Sequence, residues 1–184
     1  MSTIAKSIKG AWHILKFDRQ ALTFFNPSID EFLKSFRVLA FALPLFLLAM
    51  YFQNKISLRF NGESFALGLA LIDYIIRWAT YLIFAYFFGR LLNISHNFIG
   101  FAIVFNWVKL WLVLIPLPVL ALTAFGLIDG GTYRVLGLLI FFYGSAVQIF
   151  TLHIALGATL LNAAGIYLAG FLFDQLVQAF LSGI

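Results

Sequence analysis

The chain has 184 residues, of which 63% are hydrophobic and only 10% are charged, and its formal net charge is +5. An average soluble domain is about 25% charged, so this composition excludes an ordinary water-soluble protein and indicates a chain whose solvent is the bilayer. The absence of cysteine excludes disulfides, thiolate chemistry and cysteine-ligated metals.

The first 35 residues predict an interfacial segment on the cytoplasmic side. Ile4, Ile8, Trp12 and Leu15 recur at helical spacing, and basic residues occupy much of the other surface, as in an amphipathic helix at the headgroup layer. We expect this helix to contact anionic lipid; the alternative is a helix packed on the bundle or on a partner protein. The predicted lipid-contact residues are Lys6, Lys9, Trp12 and Lys16.

The stretch "FFNPSIDEFLKSFRVLAF" predicts where the next helix begins. Ser28 is a good N-cap, and Glu31 three residues later completes a capping box. One helix is therefore expected to start near Ile29 and to run on into the first membrane span, with a kink at Pro44.

Residues 36–184 predict an all-α membrane domain, a bundle of five transmembrane helices. Such long apolar runs must satisfy their own backbone hydrogen bonds in lipid, and they lack the alternation of a barrel strand. Short connections favour antiparallel neighbours in an up-and-down bundle. The predicted spans are about 37–53, 65–88, 98–125, 135–156 and 163–181.

The distribution of Lys and Arg predicts the orientation. Six of the twelve precede Val38, and with Arg90 they place seven on the N-terminal side against three on the other, Lys55, Arg59 and Arg134. This bias predicts a cytoplasmic N-terminus and a periplasmic C-terminus in a bacterial inner membrane. The basic residues are interpreted as a membrane-orientation signal, so no nucleic-acid partner is predicted. The first span is not interpreted as a cleavable signal peptide.

Four charged residues fall inside the predicted spans: Asp73, Arg77, Lys109 and Asp174. Because an unpaired charge in lipid costs about 2.5–3.5 kcal/mol or more, we expect them to form one neutral cluster that joins spans two, three and five. Two interpretations stay open, a structural lock between helices and a polar pathway for a proton, an ion or a solute. Amides that could extend the cluster are Asn106, Gln148, Gln175 and Gln178.

Small residues and prolines mark other features of the spans. Pro116 and Pro118 are expected to interrupt the third span. The pairs Gly165 and Ala169, and Gly137 and Gly144, predict close-packing helix faces. These faces would serve either the bundle itself or a homo-oligomer.

Catalytic and metal motifs are absent from the sequence, so an enzyme is not predicted, and neither a cofactor nor a metal site is expected. His96 and His153 fall on the same predicted side, where a bis-histidine haem site is conceivable. His153 is interpreted instead as a residue that caps a helix end.

The order of these segments resembles the Yip-domain family, the Ypt/Rab-interacting type of five-span membrane protein. The stretches "FFNPSIDEFLKSF", "LIDYIIRWATY" and "FAIVFNWVKL" look like segments of uncharacterised alphaproteobacterial inner-membrane proteins of that kind. The chain lacks the Asp-Leu-Tyr-Gly-Pro type signature of the eukaryotic members, so no Rab-binding role is carried over. The resemblance implies a five-helix protein that acts through protein or lipid contacts, and it supplies no catalytic residues.

These patterns predict a non-enzymatic inner-membrane protein, either membrane-organising or an accessory subunit of a membrane complex. Its expected partners are the bilayer, anionic lipid at the N-terminal helix, and membrane proteins or a second copy of the chain. The alternative is a small transporter or channel that uses the intramembrane charges.

Overall fold

The computed structural model describes residues 3–60 and 67–182, and for residues 67–70, 73, 77, 178, 181 and 182 it describes the backbone alone. All regular secondary structure in these residues is helical. The prediction of an all-α protein is therefore confirmed.

The N-terminal segment folds into two short helices separated by a turn. Helix α1 spans Thr3–Leu15, a 3₁₀ turn covers Arg19–Phe24, and α2 spans Ile29–Ser35. Asp18 caps the turn, since its carboxylate accepts hydrogen bonds from the Gln20 amide at 2.9 Å and pairs with His13 Nδ1 at 2.8 Å. The hydrogen bond from His13, followed by the one from Gln20, holds the pKa of Asp18 below its usual value.

Helix α3 spans Val38–Phe60, so the helix predicted to begin near Ile29 runs on into the first span, but with a two-residue turn at Phe36 and Arg37. Ser28 does cap α2, as its Oγ accepts from the Glu31 amide at 3.2 Å. The break follows from Ser35, whose hydroxyl donates to the Phe32 carbonyl at 2.7 Å. That carbonyl would accept the Phe36 amide in a continuous helix, and Phe36 bonds to Leu33 instead. Pro44 lies within α3, which continues through it.

Five helices form the rest of the bundle: α4 (Leu67–Leu91), α5 (Phe98–Leu114), α6 (Leu117–Ala124), α7 (Gly130–Thr151) and α8 (Leu160–Ser182). Helices α5 and α6 together match the third predicted span, and the chain breaks between them at Pro116, as predicted. Helix α7 begins five residues before the predicted Val135, because Asp129 caps it by accepting from the Gly131 and Thr132 amides.

Four stretches of the described residues are long and apolar enough to cross a membrane: Ile29–Phe60, Ser95–Ala124, Gly130–Leu156 and Leu160–Val177. Helix α4, 25 residues long, coincides with the remaining predicted span. The chain is thus a multi-pass membrane protein whose helices correspond to the predicted apolar segments.

The connections gather at two ends of the bundle. At one end Asn97 Nδ2 donates to the Leu156 carbonyl at 3.1 Å, and Arg19 lies 3.1 Å from His153. At the other end Arg59 donates to the Thr123 carbonyl at 3.2 Å. The N-terminal segment therefore shares its end with the α4–α5 and α7–α8 connections, as an up-and-down bundle requires.

Helix α5 lies at the centre of the packing. Each residue from Phe101 to Val108 is buried, because α1, α2, α3, α4, α7 and the π-helical turn Leu152–Leu156 surround α5. A smaller apolar cluster joins α3 to α6 nearer the other end; its members are Ala49, Phe52, Ile56, Leu117 and Leu120.

Candidate functional site

A cavity of about 550 Å³ lies among α4, α5, α7 and α8. Its walls combine aromatic rings with polar and charged side chains. Tyr74, Trp78 and Tyr81 reach it from α4 at spacings of four and three residues, which places them on one helix face. The polar residues contributed by the other helices are Lys109, Tyr143, Ser145, Gln148, Tyr167, Asp174 and Gln175.

Lys109 and Asp174, two members of the predicted charge cluster, line this one cavity. The Lys109 ammonium lies 5.4 Å from the centroid of the Tyr81 ring and 5.1 Å from that of Phe105, within the range of a cation–π contact. Asp73 and Arg77 belong to α4, but their side chains lie outside the described residues. Their place in the cluster stays a prediction.

The amides predicted to extend the cluster lie in different places. Gln148 and Gln175 line the cavity, and the Gln178 side chain lies outside the described residues. Asn106 is used elsewhere: its Oδ1 accepts from Trp78 Nε1 at 2.9 Å, and its Nδ2 donates to Ser35 Oγ at 2.8 Å. This fully buried amide therefore ties α4 and α2 to α5.

The hydrogen bonding of the cavity wall is incomplete. Ser145 and Tyr167 share a hydrogen bond of 2.6 Å. Among the described residues three buried side-chain polar atoms have no hydrogen-bond partner: the Tyr74 and Tyr81 hydroxyls and Gln148 Oε1. All three belong to side chains that line this cavity.

Sequence reasoning identified the ionisable groups and glutamines of the cavity but missed its tyrosines. The available signal was the repeat of Tyr74, Trp78 and Tyr81 along one face of the second span. Such a pattern is also typical of a closed apolar core, so only the unpaired hydroxyls distinguish the two arrangements.

Helix α1 forms a second candidate site because its two faces differ. The face buried on the bundle consists of Ser7, Gly10, Ala11, Ile14 and Leu15. This face is rotated from the predicted apolar stripe, since Trp12 is 42% exposed. The reason is close approach: a Cβ at Gly10 would lie 2.6 Å from the Phe25 ring, so small residues define the contact surface.

Contacts with α5 and α7 hold α1 in place. Trp111 Nε1 donates to the Ile8 carbonyl at 3.4 Å, and the Tyr143 hydroxyl donates to the Leu15 carbonyl at 2.6 Å. The Trp12 and Trp111 rings lie 5.0 Å apart. The residues predicted to meet lipid are all exposed, although Trp12 also contacts Trp111: Lys6, Lys9, Trp12 and Lys16.

The predicted small-residue faces are used unequally within the chain. A Cβ at Gly144 would be 3.7 Å from Leu112, in ordinary contact. At Gly137 or Gly165 a Cβ would meet none of the described residues within 4 Å. Ala169 is half-buried on α8. The homo-oligomer interpretation of Gly137 and Gly165 stays a prediction.

His153 contacts the chain through both ring nitrogens. Its Nδ1 lies 2.8 Å from the Ala158 carbonyl, and its Nε2 lies 3.1 Å from Arg19. A neutral ring that donates from Nδ1 and accepts at Nε2 satisfies both contacts. Within the part of the chain that the structure describes, no three histidine, aspartate or glutamate side chains come together as a metal site.

Comparison of the chain with protein-family models, with curated proteins and with solved structures gives no match. The cavity and the exposed face of α1 therefore have to be interpreted from their own chemistry.

Proposed function

We propose that this chain is a non-enzymatic, multi-pass protein of the bacterial inner membrane, Yip-like in type, which organises the membrane around its N-terminal helix. It acts as a membrane-organising protein or as an accessory subunit of a membrane complex. In this proposal the N-terminus is cytoplasmic, the C-terminus is periplasmic, and α1 recruits anionic lipid.

The observation that carries the proposal is the docking of α1 with its basic face outward. The buried face of α1 packs on α5 and α7, which fixes the direction in which Lys6, Lys9 and Lys16 point. Each basic residue near an anionic membrane surface contributes about 1 kcal/mol. A docked helix also loses little further conformational freedom when it binds lipid, so more of that attraction is retained.

Trp12 provides a direct test, since it is the most exposed tryptophan: Trp78 and Trp107 are buried, and Trp111 is half-buried. The protein is reconstituted with brominated phosphatidylglycerol or with brominated phosphatidylcholine, and quenching of tryptophan fluorescence is compared. We expect several-fold stronger quenching by the anionic lipid, and loss of that preference when Lys6, Lys9 and Lys16 are all changed to Gln.

The matched control is Arg134→Gln, which removes an exposed charge from the first turns of α7 and away from α1. This variant should keep the lipid preference. Equal quenching by the two lipids in the unchanged protein would refute the proposal.

A second candidate function, a small transporter or channel, is favoured by the cavity that Lys109 and Asp174 line. Intramembrane ionisable residues commonly mark substrate and ion pathways. Proton and solute flux in proteoliposomes tests this candidate. Flux that is present in the unchanged protein and lost in Asp174→Asn would favour it over the membrane-organising role, and absence of flux would exclude it.

A further inference from the structure

The unpaired polar atoms are the first indication that the cavity holds something. Buried polar groups in folded proteins nearly always have a hydrogen-bond partner, and the exceptions require an explanation. Here the Tyr74 and Tyr81 hydroxyls and Gln148 Oε1 lack one among the described residues, and all three side chains line a single cavity. Tyr81 is 5% exposed, so bulk solvent does not supply its partner. Neither the described side chains nor bulk solvent supplies these partners, which favours an occupant of the cavity.

The hydrogen-bonding chemistry of these atoms restricts the occupant. An amide oxygen only accepts, so Gln148 Oε1 requires a donor on the occupant. A phenol hydroxyl donates to an acceptor or accepts from a donor, and two such groups, on Tyr74 and Tyr81, face the same space. A molecule with both an N–H or O–H donor and an oxygen acceptor satisfies all three.

The charges of the wall restrict the occupant further. The described ionisable groups on the wall that are charged at neutral pH are one lysine and one aspartate, Lys109 and Asp174, so their formal charges cancel. An occupant with net charge would leave one charge in the site uncompensated, which is costly wherever water is excluded. The occupant is therefore uncharged or zwitterionic.

The size of the cavity and the composition of its wall also restrict the occupant. The cavity of about 550 Å³ falls within the range of about 300–1,000 Å³ that is typical of small-molecule sites. Much of its wall is apolar and aromatic, with Phe46, Phe141 and Phe171 among the lining residues. An occupant with an apolar or aromatic frame beside its polar groups would match this wall.

We propose that the cavity among α4, α5, α7 and α8 is a binding site for a small molecule without net charge that carries hydrogen-bond donors and acceptors on a partly apolar frame. This is the site on which the second candidate function depends, but binding does not require transport. The molecule comes either from the aqueous phase or from the bilayer, as the headgroup of a zwitterionic lipid.

Three matched probes test the proposed chemistry: 4-hydroxybenzamide, which is neutral, 4-hydroxybenzoate, an anion, and 4-hydroxybenzylamine, a cation. Binding to the full chain is measured by ligand-observed NMR in detergent micelles stripped of lipid. We expect the neutral amide to bind at least about tenfold more tightly than either charged analogue. Preferential binding of a charged analogue would overturn the proposal, and so would no binding by any probe, since the cavity would then hold only water.

Two variants test whether the probe binds in the cavity. Tyr81→Phe removes one of the unpaired hydroxyls, and Gln148→Leu removes the unpaired amide oxygen together with its NH2 group. Both variants should fold normally and weaken binding of 4-hydroxybenzamide by about five- to tenfold. The matched control is Tyr51→Phe, the same change at an exposed tyrosine of α3 outside the cavity, which should leave binding unchanged. Equal binding to the unchanged protein and to both cavity variants would place the probe elsewhere and refute the site.

A repeat in nanodiscs that contain phosphatidylethanolamine separates the two sources. Loss of probe binding there identifies the zwitterionic headgroup as the occupant, and unchanged binding identifies a soluble molecule. Probe binding without flux in proteoliposomes would exclude the transport function and support the proposed binding site. Flux without probe binding would refute the proposed uncharged ligand and support the transport function.

Discussion

Two consecutive parts of α5 have different surroundings. From Phe101 to Val108 every residue is buried, and the one buried amide in this part, Asn106, is hydrogen-bonded on both sides. From Lys109 the same helix becomes a wall of the cavity, where three buried polar atoms lack partners among the described residues. Unpaired buried groups cost free energy, and a region that served only to pack helices would gain stability by replacing them. The part of the bundle around Phe101–Val108 is therefore a closed half, in which the buried polar groups are paired. The part around the cavity is a cavity half, in which polar groups remain available to bind a ligand.

The largest effect is expected from Asn106→Leu. This change leaves Trp78 Nε1 and Ser35 Oγ without their partner inside the closed half, so the free energy of unfolding should fall by roughly 2–4 kcal/mol. Unfolding of the purified protein in mixed micelles, titrated with a denaturing detergent, measures the change.

The control is Gln148→Leu, which removes an amide oxygen that has no partner within the part of the chain that the structure describes. It should shift the free energy of unfolding by less than about 1 kcal/mol, since no hydrogen bond to that oxygen is lost. If the two substitutions cost the same, the distinction between the two halves of the bundle is wrong.

Gly10→Ala tests how α1 packs on the closed half of the bundle. The new Cβ would lie 2.6 Å from the Phe25 ring and 2.8 Å from Phe24 Cβ, and such overpacking costs roughly 1–3 kcal/mol. We expect α1 to detach more readily, which limited trypsin cleavage after Lys16 would report as a faster rate.

Gly137→Ala is the matched control for this change, as its Cβ would meet none of the described residues within 4 Å. That variant should be cleaved at the rate of the unchanged protein. A Gly10→Ala protein that also resists trypsin equally well would show that α1 does not dock through this contact.

A double-mutant cycle on Lys109→Met and Asp174→Asn tests whether the two charges of the cavity half interact. The two residues line one cavity with opposite charges, and we predict a coupling of about 1 kcal/mol in the free energy of unfolding. The double variant should therefore be more stable than the sum of the single effects implies. Strict additivity would mean that the two charges do not belong to one cluster.

The smallest effect concerns pH at the end of the bundle. Asp129 accepts from the Thr132 hydroxyl at 2.7 Å and from the Thr132 and Gly131 amides, and these bonds hold its pKa below 3.8. A carboxyl with a lowered folded pKa stabilises the protein fully above its unfolded value, and the contribution is lost as pH falls through the folded value. Amide hydrogen exchange in the first turn of α7 should therefore accelerate as pH falls below about 4, after correction for intrinsic rates. Asp129→Asn should remove that dependence.

Apolar run length and capping residues were enough to predict most of the fold. Ser28 and Pro116 mark helix boundaries in the positions expected from their local chemistry. The break after Ser35 was not predictable, because it depends on a hydroxyl that binds the Phe32 carbonyl and Asn106, 71 residues further along the chain. Local propensity contains no information about such a tertiary contact.

The candidate sites were predicted less completely than the fold. Charge balance predicted that Lys109 and Asp174 lie together. The helix faces that enclose the cavity depend on how each helix is rotated about its axis. The weak amphipathic pattern of these helices does not determine that rotation. The same limit explains Trp12: in a helix rich in small residues, Gly10 and Ala11 determine the packed face, although larger apolar side chains dominate the periodic pattern.

The docking of α1 has a consequence for synthesis of the chain. Its partners come late, since Leu15 and Tyr143 are 128 residues apart and Arg19 and His153 are 134 apart. At about 5–20 residues per second of translation, the N-terminal helix waits on the order of ten seconds before its docking surface exists. During that interval its small, partly polar inner face is exposed; under the proposed function, its lysines would hold it at the membrane surface while the later helices insert. The basic face of α1 would thus serve the nascent chain before it serves the finished protein.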